Sequence, residues 1–142
     1  MAIISKKIFI DSSFFLAFID RANLYHAKAV QILELLARQE YYLYSSGIVV
    51  LQTFNAMERD LGSAVAKDFL RAILESSIHI LYSSGSDFLA AFRYLKLNPG
   101  YQRSLVSIIN ARLMERYGIN SVLTFDFWPN VMGIRVSNLI TI

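Results

Sequence analysis

Two aspartates in this sequence each follow a short apolar segment, one near each end of the chain. Asp11 comes directly after Ile8-Phe9-Ile10, and Asp126 ends the segment Leu123-Thr124-Phe125-Asp126. Each aspartate alone is compatible with a helix N-cap or a turn, because a short carboxylate readily accepts backbone N–H groups. Each is equally compatible with a metal ligand. The chemistry therefore depends on whether the fold brings the two carboxylates together.

The rest of the chain predicts strands that alternate with helices. The predicted strands cover residues 8–10, 41–44, 78–81, 122–124 and 134–136. The predicted helices cover 22–38 and 63–75, with others ending near residues 18, 59, 95 and 117. Serines are the expected N-caps of four of them: Ser12 or Ser13, Ser45 or Ser46, Ser84 or Ser86, and Ser104.

This alternation indicates the α/β class, because parallel strands need crossover connections that cover both faces of the sheet. We expect a three-layer α/β/α sandwich with a central parallel sheet of four to five strands. In such sheets the site lies outside the carboxyl ends of the strands, where the strand order reverses. If the strands before Asp11 and Asp126 are neighbours, the two carboxylates meet in one crevice.

The composition limits the class of protein. A chain of 142 residues has the size of one domain, so we expect a single domain over 1–142. The hydrophobic fraction is 55% and the charged fraction 18%, against averages of about 45–50% and about 25%. The excess predicts a doubly covered sheet and an apolar patch hidden in an oligomer, for which a homodimer is our expectation. A net charge of +3 permits RNA as a partner without requiring it.

The N-terminal region lacks the pattern of a signal peptide. Asp11 interrupts its apolar stretch, and no small-residue cleavage site follows. No uncharged apolar stretch reaches the roughly 18 residues of a membrane span. The absence of cysteine excludes disulfides and thiolate metal sites and fits a reducing compartment. We expect a cytoplasmic protein with no membrane partner.

Three segments resemble the PIN-domain ribonucleases. PIN domains open with an apolar strand, Asp, Ser or Thr, and a short apolar helix, as in Ile-Phe-Ile-Asp-Ser-Ser-Phe-Phe-Leu-Ala at 8–17. They continue with a helix that carries a His shortly before an Ala, as in Leu-Tyr-His-Ala-Lys-Ala at 24–29. They close with Gly-Ile, a short strand and Thr-Phe-Asp, as at 118–126.

The resemblance implies hydrolysis of RNA phosphodiesters that depends on Mg²⁺ or Mn²⁺, as in the VapC-type toxins of toxin–antitoxin pairs. It assigns Asp11 and Asp126 as catalytic residues and metal ligands, and it implies an antitoxin-like partner. Hard cations of this kind take oxygen ligands. Ser12 and Trp128 are the expected substrate contacts, with Trp128 able to stack on a base.

The chain departs from the PIN pattern at two acidic positions. Gln52 stands where the family has a Glu, and Ser107 stands where it has an Asp. Both residues offer oxygen atoms but no charge. Asp20, after the first helix, is the one acid that could swing in as a replacement. We therefore expect Mg²⁺ or Mn²⁺ to be weakly bound or absent.

The acid count favours a catalytically weak or inactive module for binding RNA or a protein. The alternative is an Mg²⁺- or Mn²⁺-dependent VapC-like endoribonuclease that works with Asp11 and Asp126. Phosphate-transfer folds form a third class. A dehalogenase-like phosphatase needs a second Asp two residues after the first, and Ser13 stands there. A receiver domain needs a cluster of acids near its first strand and a late Lys, and this chain shows neither.

Overall fold

A parallel sheet forms the centre of the protein, with the strand order β3-β2-β1-β4-β5. The structure is a computed structural model that describes residues 6–101, 104–126 and 137–140. The strands are β1 (Lys7–Ile10), β2 (Tyr42–Ser46), β3 (His79–Leu81), β4 (Ser121–Leu123) and β5 (Ser137–Asn138). The helices are α1 (Ser12–Ile19), α2 (His26–Ala37), α3 (Gly47–Leu61), α4 (Ser63–Glu75), α5 (Gly85–Leu97) and α6 (Leu105–Arg116).

The connections place helices on both faces of the sheet. The chain moves outward from β1 to β2 and β3, then returns past β1 to β4, and all four strand pairs are parallel. Right-handed crossovers in opposite directions put α1 to α4 on one face and α5 and α6 on the other. The predicted three-layer α/β/α sandwich is confirmed, and the described residues form five strands. The strand order reverses between β1 and β4, so the predicted switch point lies there.

Strands β1 and β4 are buried apart from Lys7, which explains why each contains a short apolar run. Ile8, Phe9, Val122 and Leu123 have no exposed surface, and they join the main hydrophobic cluster with residues from α1 to α4. A second cluster lies between α5 and α6 around Ile108. Because both faces of β1 and β4 are covered, the residues that follow these strands are held at fixed positions.

A buried ion cluster joins α5 to α6. The side chain of Asp87 has no exposed surface, and its Oδ1 atom accepts Arg112 Nε at 3.2 Å and also Arg116 Nη2. Its Oδ2 atom accepts the Ser84 amide at 2.8 Å and the Ser84 hydroxyl at 3.2 Å, in a capping box at the start of α5. Four donors thus surround one carboxylate.

The predicted start of the second helix is wrong. The periodicity placed it at Ala22, but α2 begins at His26. Asp20 Oδ1 accepts the Ala22 amide, and Asn23 Oδ1 accepts the Tyr25 amide, both at 2.9 Å. Side chains that bind nearby backbone amides in this way compete with the helix.

The predicted caps are confirmed at Ser46 and Ser104, whose hydroxyls accept the amides three residues on. The first helix differs, because its N-cap position is occupied by Asp11 rather than by a serine. The predicted strand at 134–136 lies outside the described residues. The single domain over 1–142 stays a prediction. Within the described residues, no helix has both the length and the apolar character needed to cross a membrane.

Candidate functional site

The two aspartates lie at the same edge of the sheet. The parallel register pairs Ile10 of β1 with Leu123 of β4, so both strands end side by side. The Asp11 amide then donates to the Leu123 carbonyl at 3.1 Å, which extends the pairing by one step. Asp11 and Asp126 line a common cleft, as their positions at strand ends predicted.

The cleft is small, and its lining is mainly polar. Among the described residues, seven line it: Asp11, Ser12, Gln52, Ser104, Val106, Ser107 and Asp126. Five of these are site residues predicted from the sequence. Trp128, the sixth, lies outside the described residues. The structure thus brings Gln52 from α3 and Ser107 from α6 to the two aspartates.

Asp11 is held by a side-chain contact across the two strands. It occupies the N-cap position of α1, yet its side chain makes no capping hydrogen bond. Instead, its Oδ2 atom accepts the Thr124 hydroxyl at 2.8 Å, and the residue is 5% exposed. The side chain of Asp11 therefore does not cap α1, and it contacts Thr124, the residue that follows β4.

Thr124 connects the two aspartates. While its hydroxyl donates to Asp11, the same oxygen accepts the Asp126 amide at 3.0 Å. Ser13 Oγ lies 3.0 Å from Thr124 Oγ1 and accepts the Phe125 amide at 2.9 Å. Sequence reasoning gave Ser13 only a possible N-cap role and did not assign Thr124 to the site. The sequence does place a hydroxyl residue two positions from each aspartate, Ser13 after Asp11 and Thr124 before Asp126. This spacing indicates a contact only once β1 is known to pair with β4.

We expect Thr124→Val to lower the free energy of unfolding by about 1–3 kcal/mol, because the buried Asp11 carboxylate and the partly buried Asp126 amide each lose a partner while volume is kept. Urea unfolding followed by circular dichroism measures the loss. Thr53→Val is the matched control, since Thr53 is equally buried and donates only to a carbonyl within its own helix. Equal losses in the two variants would contradict a bridging role for Thr124.

An aromatic stack fixes the segment between β4 and Asp126. The Phe125 ring is nearly parallel to the Tyr25 ring at 4.5 Å and to the Phe14 ring at 6.1 Å between centroids. These rings come from the start of α2 and from α1. The backbone that carries Asp126 is therefore anchored on its apolar side, although the Asp126 side chain is exposed to solvent.

The two neutral positions differ in how free their polar atoms are. Gln52 is exposed, so its amide can turn towards a ligand. Ser107 is 5% exposed and donates to the Ser104 carbonyl at 2.7 Å, with the Tyr101 hydroxyl 3.3 Å from its oxygen. The Ser107 hydroxyl therefore lines the cleft and also makes a hydrogen bond within the first turn of α6.

No further acid completes the cleft among the described residues. Asp20, the proposed replacement, instead accepts the Ala22 amide in the turn after α1 and does not line the cleft. Nowhere in residues 6–101, 104–126 and 137–140 do three or more His, Cys, Asp or Glu side chains group to hold a metal ion. The donor set is two carboxylates with neutral oxygens.

Two helices begin at the cleft. Ser12 is the first residue of α1, and Ser104 is the N-cap of α6. Helix N-termini carry partial positive charge and unpaired amides, and they favour phosphate groups. The cleft thus combines two negative side chains with an electrostatic environment suited to an anion.

A sequence model of the PIN domain matches residues 8–127, so the chain belongs to the PIN-domain family. No curated protein matches it in sequence. The family assignment covers all the described cleft residues and ends one residue beyond Asp126.

Solved structures show the same fold at low identity. VapC20 of Mycobacterium tuberculosis, a toxin that cleaves the sarcin–ricin loop, superposes with a TM-score of 0.74 at 20% identity over 84% of this chain and 89% of that one. VapBC2 of Rickettsia felis, bound to a promoter DNA fragment, superposes with a TM-score of 0.68 at 13% identity, over 93% of this chain and 98% of that one. FitAcB of Neisseria gonorrhoeae superposes with a TM-score of 0.63 at 15% identity, over 92% of this chain and 95% of that one.

Proposed function

We propose that this PIN-domain protein binds RNA through the cleft at the ends of β1 and β4 and cleaves it weakly or not at all. One observation carries the proposal. Gln52 and Ser107 lie in the same cleft as Asp11 and Asp126, so the two positions that lack charge are the ones that would complete a cation site. The polar lining and the starts of α1 and α6 supply donors for a phosphate.

The alternative function is an Mg²⁺- or Mn²⁺-dependent endoribonuclease of the VapC kind. Its support is the pair Asp11 and Asp126, which share one cleft and are linked through Thr124. These two carboxylates would hold the ion, with Gln52 and Ser107 as neutral auxiliaries. A bound metal ion of this type polarises a phosphoryl oxygen and helps to generate hydroxide.

The test measures binding and cleavage separately. Fluorescence anisotropy with a labelled single-stranded RNA is expected to show binding without added Mn²⁺, and denaturing gels are expected to show little or no cleavage when Mn²⁺ is added. Metal-dependent cleavage that Asp11→Asn abolishes would decide for the nuclease. Asp68→Asn is the control, since it removes the same charge from an exposed position on α4. Absence of RNA binding would overturn both functions.

We further propose a homodimer, an antitoxin-like protein partner and a cytoplasmic location. Exposed apolar side chains support a protein contact. On α5, Phe92 is 48% exposed, and Leu89, three residues before it, is 52% exposed. Burying such side chains would stabilise an assembly. A monomeric mass at micromolar concentration in sedimentation equilibrium would contradict the dimer.

A further inference from the structure

Tyr82 places an exposed aromatic ring at the edge of the sheet where the cleft lies. It follows Leu81, the last residue of β3, and is 73% exposed. The parallel register pairs Ser46 of β2 with Leu81, so the next residues, Gly47 and Tyr82, lie side by side. A large ring in this position contributes little to the core, and its exposure calls for another explanation.

Gly47 allows the ring to lie against the backbone at the first turn of α3. A Cβ atom at this position would lie 2.8 Å from both Cδ1 and Cε1 of Tyr82, closer than real Cβ contacts. At the other glycines that the structure describes, an added Cβ would meet nothing within 4 Å: Gly62, Gly85, Gly100 and Gly118. Contact with the Gly47 backbone therefore restrains the Tyr82 ring, so less conformational entropy is lost when a ligand packs on it.

The ring is close enough to the cleft for one bound strand to reach both. Neighbouring strands are about 4.8 Å apart, so the ends of β3 and β1 are separated by roughly 10 Å. Gly47 and the cleft residue Gln52 belong to the same helix, five residues and roughly 7.5 Å of rise apart. A strand whose phosphate occupies the cleft would therefore carry a neighbouring base within reach of Tyr82.

We propose that Tyr82 is a stacking platform for an unpaired base of single-stranded RNA, with Gly47 as its positioning residue. This inference rests on the proposed RNA-binding function. Stacking on an aromatic ring tolerates any base, because every base has a π face. The subsite therefore selects single-stranded over double-stranded RNA rather than a particular sequence.

The experiment compares labelled single-stranded RNA with a duplex and with an abasic strand of equal length. Tyr82→Ala is expected to weaken binding of the single strand by about five- to 140-fold, which corresponds to the loss of about 1–3 kcal/mol of base–aromatic stacking. Tyr82→Phe should retain wild-type affinity because it keeps the ring. Tyr42→Ala is the matched control: Tyr42 is 59% exposed but begins β2, at the opposite edge of the sheet.

Gly47→Ala provides a second variant, since its methyl group would displace the ring without removing it. Gly47→Ala should weaken RNA binding in the wild-type background. In the double variant with Tyr82→Ala, it should weaken binding no further than Tyr82→Ala alone. The abasic strand should bind all variants equally. RNA binding that is indifferent to Tyr82→Ala would overturn the platform alone, whereas a wild-type protein that binds no RNA would overturn the proposed function and the platform together.

Discussion

Asp87→Asn is expected to lower the free energy of unfolding by about 3 kcal/mol at pH 7. The substitution keeps the shape of the side chain but leaves Arg112 and Arg116 without their buried counter-charge. Removing one partner of a buried ion pair costs about 3–5 kcal/mol. The lower end is expected here because the two arginine side chains are 28% and 42% exposed and can turn partly towards water. For a domain whose total stability is about 5–15 kcal/mol, such a loss is large.

The loss should depend on pH in a defined direction. Burial alone would raise the pKa of Asp87, but the Ser84 amide and the guanidinium groups of Arg116 and Arg112 together hold it below its ordinary value. A carboxyl whose folded pKa is lowered stabilises the protein above its unfolded pKa, and this contribution is lost as the pH falls through the folded pKa. The difference between wild type and Asp87→Asn should therefore be constant above about pH 5 and shrink below about pH 4.

Urea unfolding at several pH values measures both effects. Asp68→Asn is the matched control, because Asp68 also pairs with an arginine, Arg71, at 3.3 Å, but both side chains are mostly exposed. An exposed pair of this kind contributes about 0–1 kcal/mol. If the two variants lost the same stability, the buried cluster would not hold α5 against α6 as described.

Gln52→Glu combined with Ser107→Asp is expected to raise the affinity for Mn²⁺ by at least tenfold. One unit charge at about 4 Å from the ion contributes about 1 kcal/mol at the dielectric constant of water and about 4 kcal/mol at an effective value of 20. Two charges therefore strengthen the free energy of Mn²⁺ binding by roughly 2–8 kcal/mol, and each 1.4 kcal/mol changes the dissociation constant by about a factor of ten. An acid at position 107 also suits the first turn of α6, where negative charge is favourable.

Isothermal titration calorimetry with Mn²⁺ tests this restoration, with each single variant expected to fall between wild type and the double variant. Gln39→Glu combined with Ser63→Asp is the control, because it adds the same charge at two exposed positions that do not line the cleft. An unchanged dissociation constant in the restored variant would show that the two missing acids are not what weakens metal binding. Tight Mn²⁺ binding by the wild type would remove the basis of the weak-site proposal.

The sequence predicted those features that depend on local pattern and strand order. Asp11 and Asp126 could be placed at strand ends because apolar runs precede them, and the alternation of elements then put both at the switch point. The start of α2 was missed because Asp20 and Asn23 bind backbone amides through their side chains, which hydrophobic periodicity does not register.

Features that depend on long-range register could not be read from the sequence. The contact of Tyr82 with Gly47 requires the pairing of β2 with β3, which nothing in either segment specifies. The Asp87 cluster joins residues 25 and 29 positions apart on two helices. The contacts between Ser84 and Asp87 could have been predicted from the sequence, because the two residues have the spacing of a capping box.

The bond between Thr124 and Asp11 has a consequence for the order of events during folding. It joins residues 113 positions apart, so it closes a loop that includes most of the chain. Closing so long a loop costs conformational entropy, which the packing of β1 against β4 and of Phe14 against Phe125 helps to offset. Contacts between residues so far apart in sequence form slowly. While the chain is still being synthesised, Asp11 has no β4 to pair with and the cleft does not exist. A nascent chain on the ribosome, close to large amounts of RNA, therefore carries no assembled cleft until β4 and Asp126 have emerged.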